Sequence, residues 1–152
     1  MTNQVSQDIT VKGDVSTIYN IWAEFETFPH FMKYVNSIVK TGERTSHWEV
    51  SGPLGMKVEW DAETTRLDEN QRIGWNTKDR DGTITTSGEV VFAQLPNAQT
   101  HVSVTMNYTV PGGKAGEAIA TLFSDPGKRL EEDLRNFKVY VENGLLQPAV
   151  ID

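Results

Sequence analysis

The segment KAGEAIATLFSDPGKRLEEDLRNFKVYVEN, residues 114–143, decides the fold, because it carries the only sustained helical periodicity in the sequence. Its apolar residues recur mostly at steps of three or four and form one stripe on a helix. The stripe comprises Ile119, Leu122, Phe123, Leu130, Leu134, Phe137 and Val141. Charged residues such as Lys128 and Arg135 occupy the opposite face. The pattern therefore predicts an amphipathic helix that packs on another layer, not a membrane span.

Pro126 interrupts this helical pattern and leaves two interpretations open. One is a kink within a single long helix. The other is a new helix with Asp125 as its N-cap and Pro126 at its first position, which proline favours. A functional interpretation makes Ala115–Ser124 a gate over a cavity, whereas a structural one makes the bend follow the curvature of a sheet.

Most of the chain before this helix has strand character, with turn residues at regular intervals. The predicted strands are Val5–Lys12, Val35–Thr41, His47–Ser51, Met56–Leu67, Arg72–Thr77, Thr83–Gln94 and His101–Val110. Alternation is clearest in the fourth strand, where one face carries Met56, Val58, Trp60, Ala62 and Thr64. The other face carries Lys57, Glu59, Asp61 and Glu63, which indicates a sheet that is exposed to solvent on one side only.

Two short helical segments are predicted between the first and second strands. Val15–Glu24 has an aromatic face, and Asp14 or Ser16 can cap its start. Pro29 disfavours helix at the residue before it, so Glu26–Pro29 is expected to be a break, followed by one turn at His30–Lys33.

This order of elements predicts an α+β fold in a single domain, residues 1–152. Six consecutive strands favour an antiparallel sheet of about seven strands in all, curved around the long C-terminal helix. A curved sheet holding one helix leaves a volume between the two layers in which a ligand can sit. A β-bulge would reverse which residues face inward, and Gly74 and Gly88 are places that can accommodate one.

Composition excludes several classes of function. Hydrophobic residues make up 38% and charged residues 23%, which is typical of a soluble globular protein. A formal charge of -7 with scattered basic residues argues against nucleic acid as a partner. The absence of cysteine excludes disulfides. With no leader or span apparent, the expected location is cytoplasmic, without stable membrane insertion.

Chemical motifs are sparse, so neither a metal nor a cofactor is expected. His30, His47 and His101 have no partners at metal-ligand spacing. Polar residues with inward parity lie mostly near strand ends, namely Thr64, Arg66, Thr77, Asp79, Thr86 and Tyr108. Of these, Tyr108 and Arg66 have the chemistry to orient an enolate. A surface salt bridge or a snorkelling side chain is the alternative role for Arg66.

Five motifs resemble one known superfamily. They are residues 25–32 (FETFPHFM), 58–63 (VEWDAE), 87–92 (SGEVVF), 108–113 (YTVPGG) and 132–138 (EDLRNFK). Together with the order of elements, they resemble the helix-grip proteins of the START/Bet v 1-like superfamily. The polyketide cyclase/dehydrase branch, which takes in coenzyme Q-binding-like proteins, looks closest. This resemblance implies a helix-grip fold and a ligand such as a lipid, isoprenoid quinone, polyketide or aromatic compound.

Three hypotheses on function follow. The first is a binding protein that holds a small hydrophobic ligand between the sheet and the C-terminal helix, without catalysis. The second is a polyketide cyclase/dehydrase-type enzyme using the same cavity, which an inward-facing acid or histidine would favour. The third is a filled core with a functional outer surface. The sequence does not distinguish a monomer from an oligomer. The residues expected to line the cavity, although each of them can instead fill the core, are Trp22, Phe28, Phe31, Met32, Trp48, Trp60, Trp75, Phe92, Met106, Tyr108, Leu122, Phe123 and Leu130.

Overall fold

The computed structural model describes residues 2–51, 57–77, 85–109 and 126–146. The chain begins with strand β1 (Thr2–Lys12), helix α1 (Val15–Ala23) and a 3-10 helix (Phe25–His30). The strands that follow are β2 (Val35–Lys40), β3 (Thr45–Ser51), β4 (Lys57–Asp68), β5 (Arg72–Thr77), β6 (Thr85–Leu95) and β7 (Gln99–Thr109). Helix α2 (Pro126–Leu146) comes last.

The seven strands form one antiparallel sheet in the order β1-β7-β6-β5-β4-β3-β2. Successive hairpins build the sheet from β2 to β7, and the two short helices carry the chain from β1 at one edge to β2 at the other. Asn70 and Asn97 have positive φ angles of 63° and 64° in the β4–β5 and β6–β7 turns, a conformation that asparagine tolerates well. The sheet curls into a half-barrel, so the predicted helix-grip α+β fold is confirmed.

Helix α2 buries the apolar stripe that the sequence predicts, as far as the structure describes it. Leu134, Phe137 and Val141 are almost completely buried. The Phe137 ring lies 5.1 Å from both the Trp22 ring of α1 and the Phe31 ring that follows the 3-10 helix. Burial of such rings provides much of the stability of a domain of this size.

Polar contacts hold α2 along strand β1. The Lys138 ammonium donates to the Thr10 carbonyl oxygen over 3.0 Å and pairs with Glu142 at 2.5 Å. The Glu142 carboxylate also accepts from the Lys12 backbone N–H at 3.0 Å. The axis of α2 is therefore anchored to the edge strand.

The prediction for the helical connection is wrong in detail. Phe25–His30 forms a continuous 3-10 helix where a break was expected at Glu26–Pro29. Proline removes one donor, but the turn continues because the Phe31 and Met32 N–H groups both reach the Phe28 carbonyl, over 3.0 and 2.8 Å. The sequence also predicted a further helical turn at His30–Lys33, but the described residues after His30 form no second helix there.

A β-bulge in β4 overturns the inward orientation predicted for Arg66. Thr64 pairs with Trp75 and Arg66 with Gly74, which leaves Thr65 as the extra residue. Arg66 is consequently turned outward, with its side chain 55% exposed and paired with Asp68 at 2.6 Å. The bulge lies beyond Trp60, which keeps its predicted inward position and is buried.

Candidate functional site

A cavity of about 180 Å³ lies between the concave face of the sheet, the helical connection and α2. Its apolar lining residues are Trp22, Phe25, Phe28, Met32, Tyr34, Val35, Trp48, Val50, Trp60, Ala62, Ile73, Trp75, Val90, Val104, Met106 and Leu130. Its polar lining residues are Ser46, Glu63, Thr64, Thr86, Arg129 and Asp133. The lining is therefore mostly apolar with a few polar groups, a composition that is typical of pockets for apolar ligands.

Two tryptophans on neighbouring strands form a flat aromatic wall. Trp48 and Trp60 are paired directly across β3 and β4, and their rings stack with centroids 6.0 Å apart and planes 13° apart. The Trp48 indole N–H donates to the Ser46 hydroxyl oxygen at 2.9 Å. Because that polar group is satisfied within the wall, the ring can present an apolar surface to the cavity.

The 3-10 helix supplies a second aromatic wall, and its geometry explains why. With three residues per turn, side chains at every third position eclipse one another, so Phe25 and Phe28 share the side that lines the cavity. Phe28 packs edge-on against Trp22 at 5.2 Å and against Trp48 at 5.9 Å, which joins the helical connection to the sheet.

The structure brings only part of the predicted site to the cavity. The predicted residues that line it are Trp22, Phe28, Met32, Trp48, Trp60, Trp75, Met106 and Leu130. Phe31 and Phe92 fill the core instead, packing against Phe137 and Tyr19 respectively. Tyr108 pairs with Thr86 on β6 but is not part of the cavity lining as described. Leu122 and Phe123 lie outside the described residues. A ligand-binding role for the lining residues stays a prediction.

The hydroxyl group of the lining residue Thr86 is already engaged with a neighbouring strand. Thr77 on β5 lies opposite Thr86 on β6. The Thr86 N–H donates to the Thr77 hydroxyl oxygen at 2.6 Å, and the two hydroxyl oxygens lie 2.9 Å apart. These mutual bonds reduce the capacity of the pair to recognise a ligand.

Asp133 is a cavity-lining residue that the sequence analysis did not single out. Its carboxyl lines the cavity and has no hydrogen bond or ion pair to any residue the structure describes. Burial raises its pKa from 3.8 to about 7, and the neighbouring Glu132 charge acts in the same direction. The sequence does contain a pattern that could have identified Asp133, since this residue stands three positions after Leu130 and four before Phe137. That spacing places it on the apolar stripe.

Cationic groups surround this carboxyl without pairing with it. The Arg129 guanidinium, one turn earlier on α2, lies over the Tyr34 ring at 4.1 Å from its centroid. Lys33 pairs with Glu132 at 3.4 Å. Both Arg129 and Lys33 lower the pKa of Asp133, but burial outweighs them. Asp133 is thus a partly buried acid that titrates near neutral pH.

The three histidines lie away from this cavity lining. His47 is on the outer face of the sheet, where its ring nitrogens contact Asp61 at 2.8 Å and Glu59 at 3.0 Å. Hydrogen bonds to Glu59 and Asp61 raise the pKa of His47. Within the described ranges, no cluster of three or more His, Cys, Asp or Glu side chains is arranged to hold a metal. In the same ranges no helix is both long and apolar enough to cross a membrane.

Residues 11–135 match the protein family described as polyketide cyclase/dehydrase and lipid transport. The chain belongs to this family. The matched range includes both aromatic walls and Asp133, so the family relationship covers the cavity itself. The predicted resemblance to the polyketide cyclase/dehydrase branch is confirmed.

This polyketide cyclase/dehydrase family protein is similar to one curated relative and to several solved structures. An uncharacterized 17.2 kDa protein of Streptomyces lincolnensis is 31% identical over 140 residues, covering 92% of this chain and 90% of that protein. The crystal structure of the Zhui aromatase/cyclase from Streptomyces sp. R1128 has a TM-score of 0.79 at 14% identity, over 99% of this chain and 100% of that one. A START superfamily protein from Mycobacterium smegmatis has a TM-score of 0.73 at 16% identity, over 91% and 98% of the two chains. The last two show the shared fold.

Proposed function

We propose that this protein binds a small hydrophobic ligand in the cavity between the sheet and α2, without catalysis. The observation that carries the proposal is the aromatic lining, in which Trp22, Phe28, Trp48, Trp60 and Trp75 surround a space of about 180 Å³. Lining residues that are mostly apolar favour transfer of an apolar ligand from water.

The volume indicates the size of the ligand group that fits. An engineered apolar cavity of roughly 150 Å³ binds benzene. A cavity of about 180 Å³ therefore fits one substituted aromatic ring, or one segment of a longer lipid or polyketide. The stacked Trp48 and Trp60 rings favour a flat group, because planar rings pack well against an aromatic face.

The experiment that tests this proposal is native mass spectrometry of protein purified from its own host, followed by organic extraction. We expect a bound compound of defined mass that is mainly apolar and is released by the solvent. Protein that is empty after purification and also fails to take up a panel of apolar aromatic probes would refute ligand binding.

Filling the cavity provides a matched test by mutation. Ala62→Phe places a large ring in the cavity, because Ala62 is buried on its wall. We expect uptake of apolar aromatic probes to fall at least about tenfold, the effect of losing roughly 1.4 kcal/mol of binding free energy. NMR titration with the probes measures this change in affinity. Ala93→Phe on the exposed face of β6 is the control and should bind as the wild type does. Equal binding by both variants would place the ligand elsewhere.

Asp133 supports an enzyme of the polyketide cyclase/dehydrase type as the second candidate. A carboxyl that titrates near neutral pH is suited to general acid–base catalysis, since it can both give and take a proton. Loss of water from a bound β-hydroxyketone breaks a C–H and a C–O bond and forms a C=C bond, and such a group can take the proton from carbon as a carboxylate and give it to the departing hydroxyl. The test is turnover of poly-β-ketone substrates, with a pH profile that depends on Asp133 and is abolished in Asp133→Asn. Ligand binding without turnover would leave the first candidate standing.

A further inference from the structure

The cavity contains one carboxyl that the surrounding protein leaves unpaired. Asp133 has no hydrogen bond or ion pair to the residues that the structure describes. Among the other polar groups of the lining, Arg129 lies over Tyr34 and Ser46 accepts from Trp48, whereas the buried Trp22 indole N–H also has no partner among the described residues. An unpaired polar group in an apolar pocket is costly, so a ligand that pairs with it gains affinity and specificity.

The protonation state decides which ligand atom this carboxyl can pair with. A ligand that fills the cavity displaces water from Asp133 and removes it further from solvent, which disfavours the charged form. The neutral form carries one O–H donor. We propose that Asp133 recognises a carbonyl oxygen on an otherwise apolar ligand by donating a hydrogen bond from its protonated carboxyl, so that binding takes up a proton. This inference rests on the proposed ligand-binding function and names the ligand's polar group.

The charges around Asp133 fit this assignment. On its own helix, Glu132 favours the protonated form and Arg129 opposes it. Lys33, which follows the 3-10 helix beside Tyr34, also opposes it. Glu63 of β4 is the other carboxylate of the lining. Burial outweighs these charges and raises the pKa to about 7, so a neutral donor is available in a normal pH range.

Acetophenone and α-methylstyrene form a suitable probe pair, because they have the same shape and differ only in C=O against C=CH₂. NMR titration of the whole protein at about pH 6 and about pH 8.5 gives the ratio of their affinities. One hydrogen bond corresponds to a preference of roughly two- to tenfold. We expect this preference for acetophenone at the lower pH and its loss at the higher pH. The ¹³Cγ shift of Asp133 should show its titration midpoint rising when acetophenone binds.

Variants separate the hydrogen bond from general apolar binding. Asp133→Asn keeps an N–H donor but does not titrate, so its preference for acetophenone should be the same at both pH values. Asp133→Leu should show no preference at either pH. Glu131→Gln is the control, since Glu131 lies on the exposed face of α2 paired with Arg135 at 2.7 Å, and it should keep the wild-type pH dependence.

The outcomes distinguish this inference from the function it rests on. If wild-type protein binds both probes with a ratio that does not change with pH, the carbonyl recognition is refuted while ligand binding stands. If neither probe binds at either pH, both the inference and the proposed function are refuted. A pH-dependent ratio that persists in Asp133→Leu would assign the effect to another group and overturn the role of Asp133.

Discussion

Phe137→Ala is expected to lower the free energy of unfolding by about 3–5 kcal/mol, as large-to-small changes of buried aromatic residues do. Phe137 is 0% exposed on α2, and its ring contacts both Trp22 and Phe31 at 5.1 Å. Its removal leaves a void where α2, α1 and the 3-10 helix meet, and the neighbouring rings lose their packing. Equilibrium unfolding in urea measures the change, read as a lower midpoint at an unchanged slope.

Val139→Ala is the matched control for this measurement. Val139 lies on the same helix but is 53% exposed, so its truncation should change stability by no more than about 0.5 kcal/mol. If Phe137→Ala were no more destabilising than Val139→Ala, α2 would not be held by its apolar stripe. The packing of α2 described above would then be wrong.

Asp133→Asn is expected to raise the free energy of unfolding at neutral pH by about 1–3 kcal/mol. The reason is that a group whose pKa differs between the folded and unfolded states makes stability depend on pH. The folded protein binds the Asp133 proton up to about pH 7, whereas an ordinary aspartate releases it near 3.8. Between those values the unfolded chain has lost a proton that the folded state keeps, so wild-type stability falls as the pH rises. Asparagine does not titrate and avoids this loss.

The measurement is urea unfolding of both proteins across the pH range. The pH-dependent part of the stability difference should be near zero below about pH 4, grow between about pH 4 and 7, and stay constant above that. Glu131→Gln, on the exposed face of α2, should give no comparable trend. A stability difference for Asp133→Asn that is independent of pH would show that this carboxyl is not perturbed by burial.

Periodicity in the sequence was sufficient to predict the architecture. The alternation that places Trp60 and Ala62 on one face of β4 requires a sheet with one buried side, and both residues are buried. The spacing of Leu134, Phe137 and Val141 requires a helix with one buried face, and these residues form that face. Such patterns are local, because a strand or a helix fixes the direction of each side chain relative to its neighbours.

The alternation within β4 did not predict its bulge, although the sequence marked Gly74, which lies opposite the bulge, as a place that can accommodate one. Thr65 is an extra residue in β4, and nothing in the alternation distinguishes it from a regular position. The partner strand fits the bulge closely: a Cβ atom on Gly74 would lie 2.9 Å from the Thr65 hydroxyl oxygen and 3.2 Å from the Arg66 Cβ, so a side chain there would crowd the bulged residues. Arg66 consequently faces outward, against the parity prediction.

The sequence by itself therefore determined the strands, helices α1 and α2, their order and most of the apolar face of each, but neither the 3-10 helix nor the orientation of Arg66. Only the tertiary structure decided which aromatic residues line a cavity and which fill the core. Trp22 and Phe31 have similar local patterns, yet Trp22 lines the cavity while Phe31 does not. Likewise, the stripe position of Asp133 is visible in the sequence, but its raised pKa depends on the layers that bury it. Both outcomes depend on the distances between packed layers, which no single segment contains.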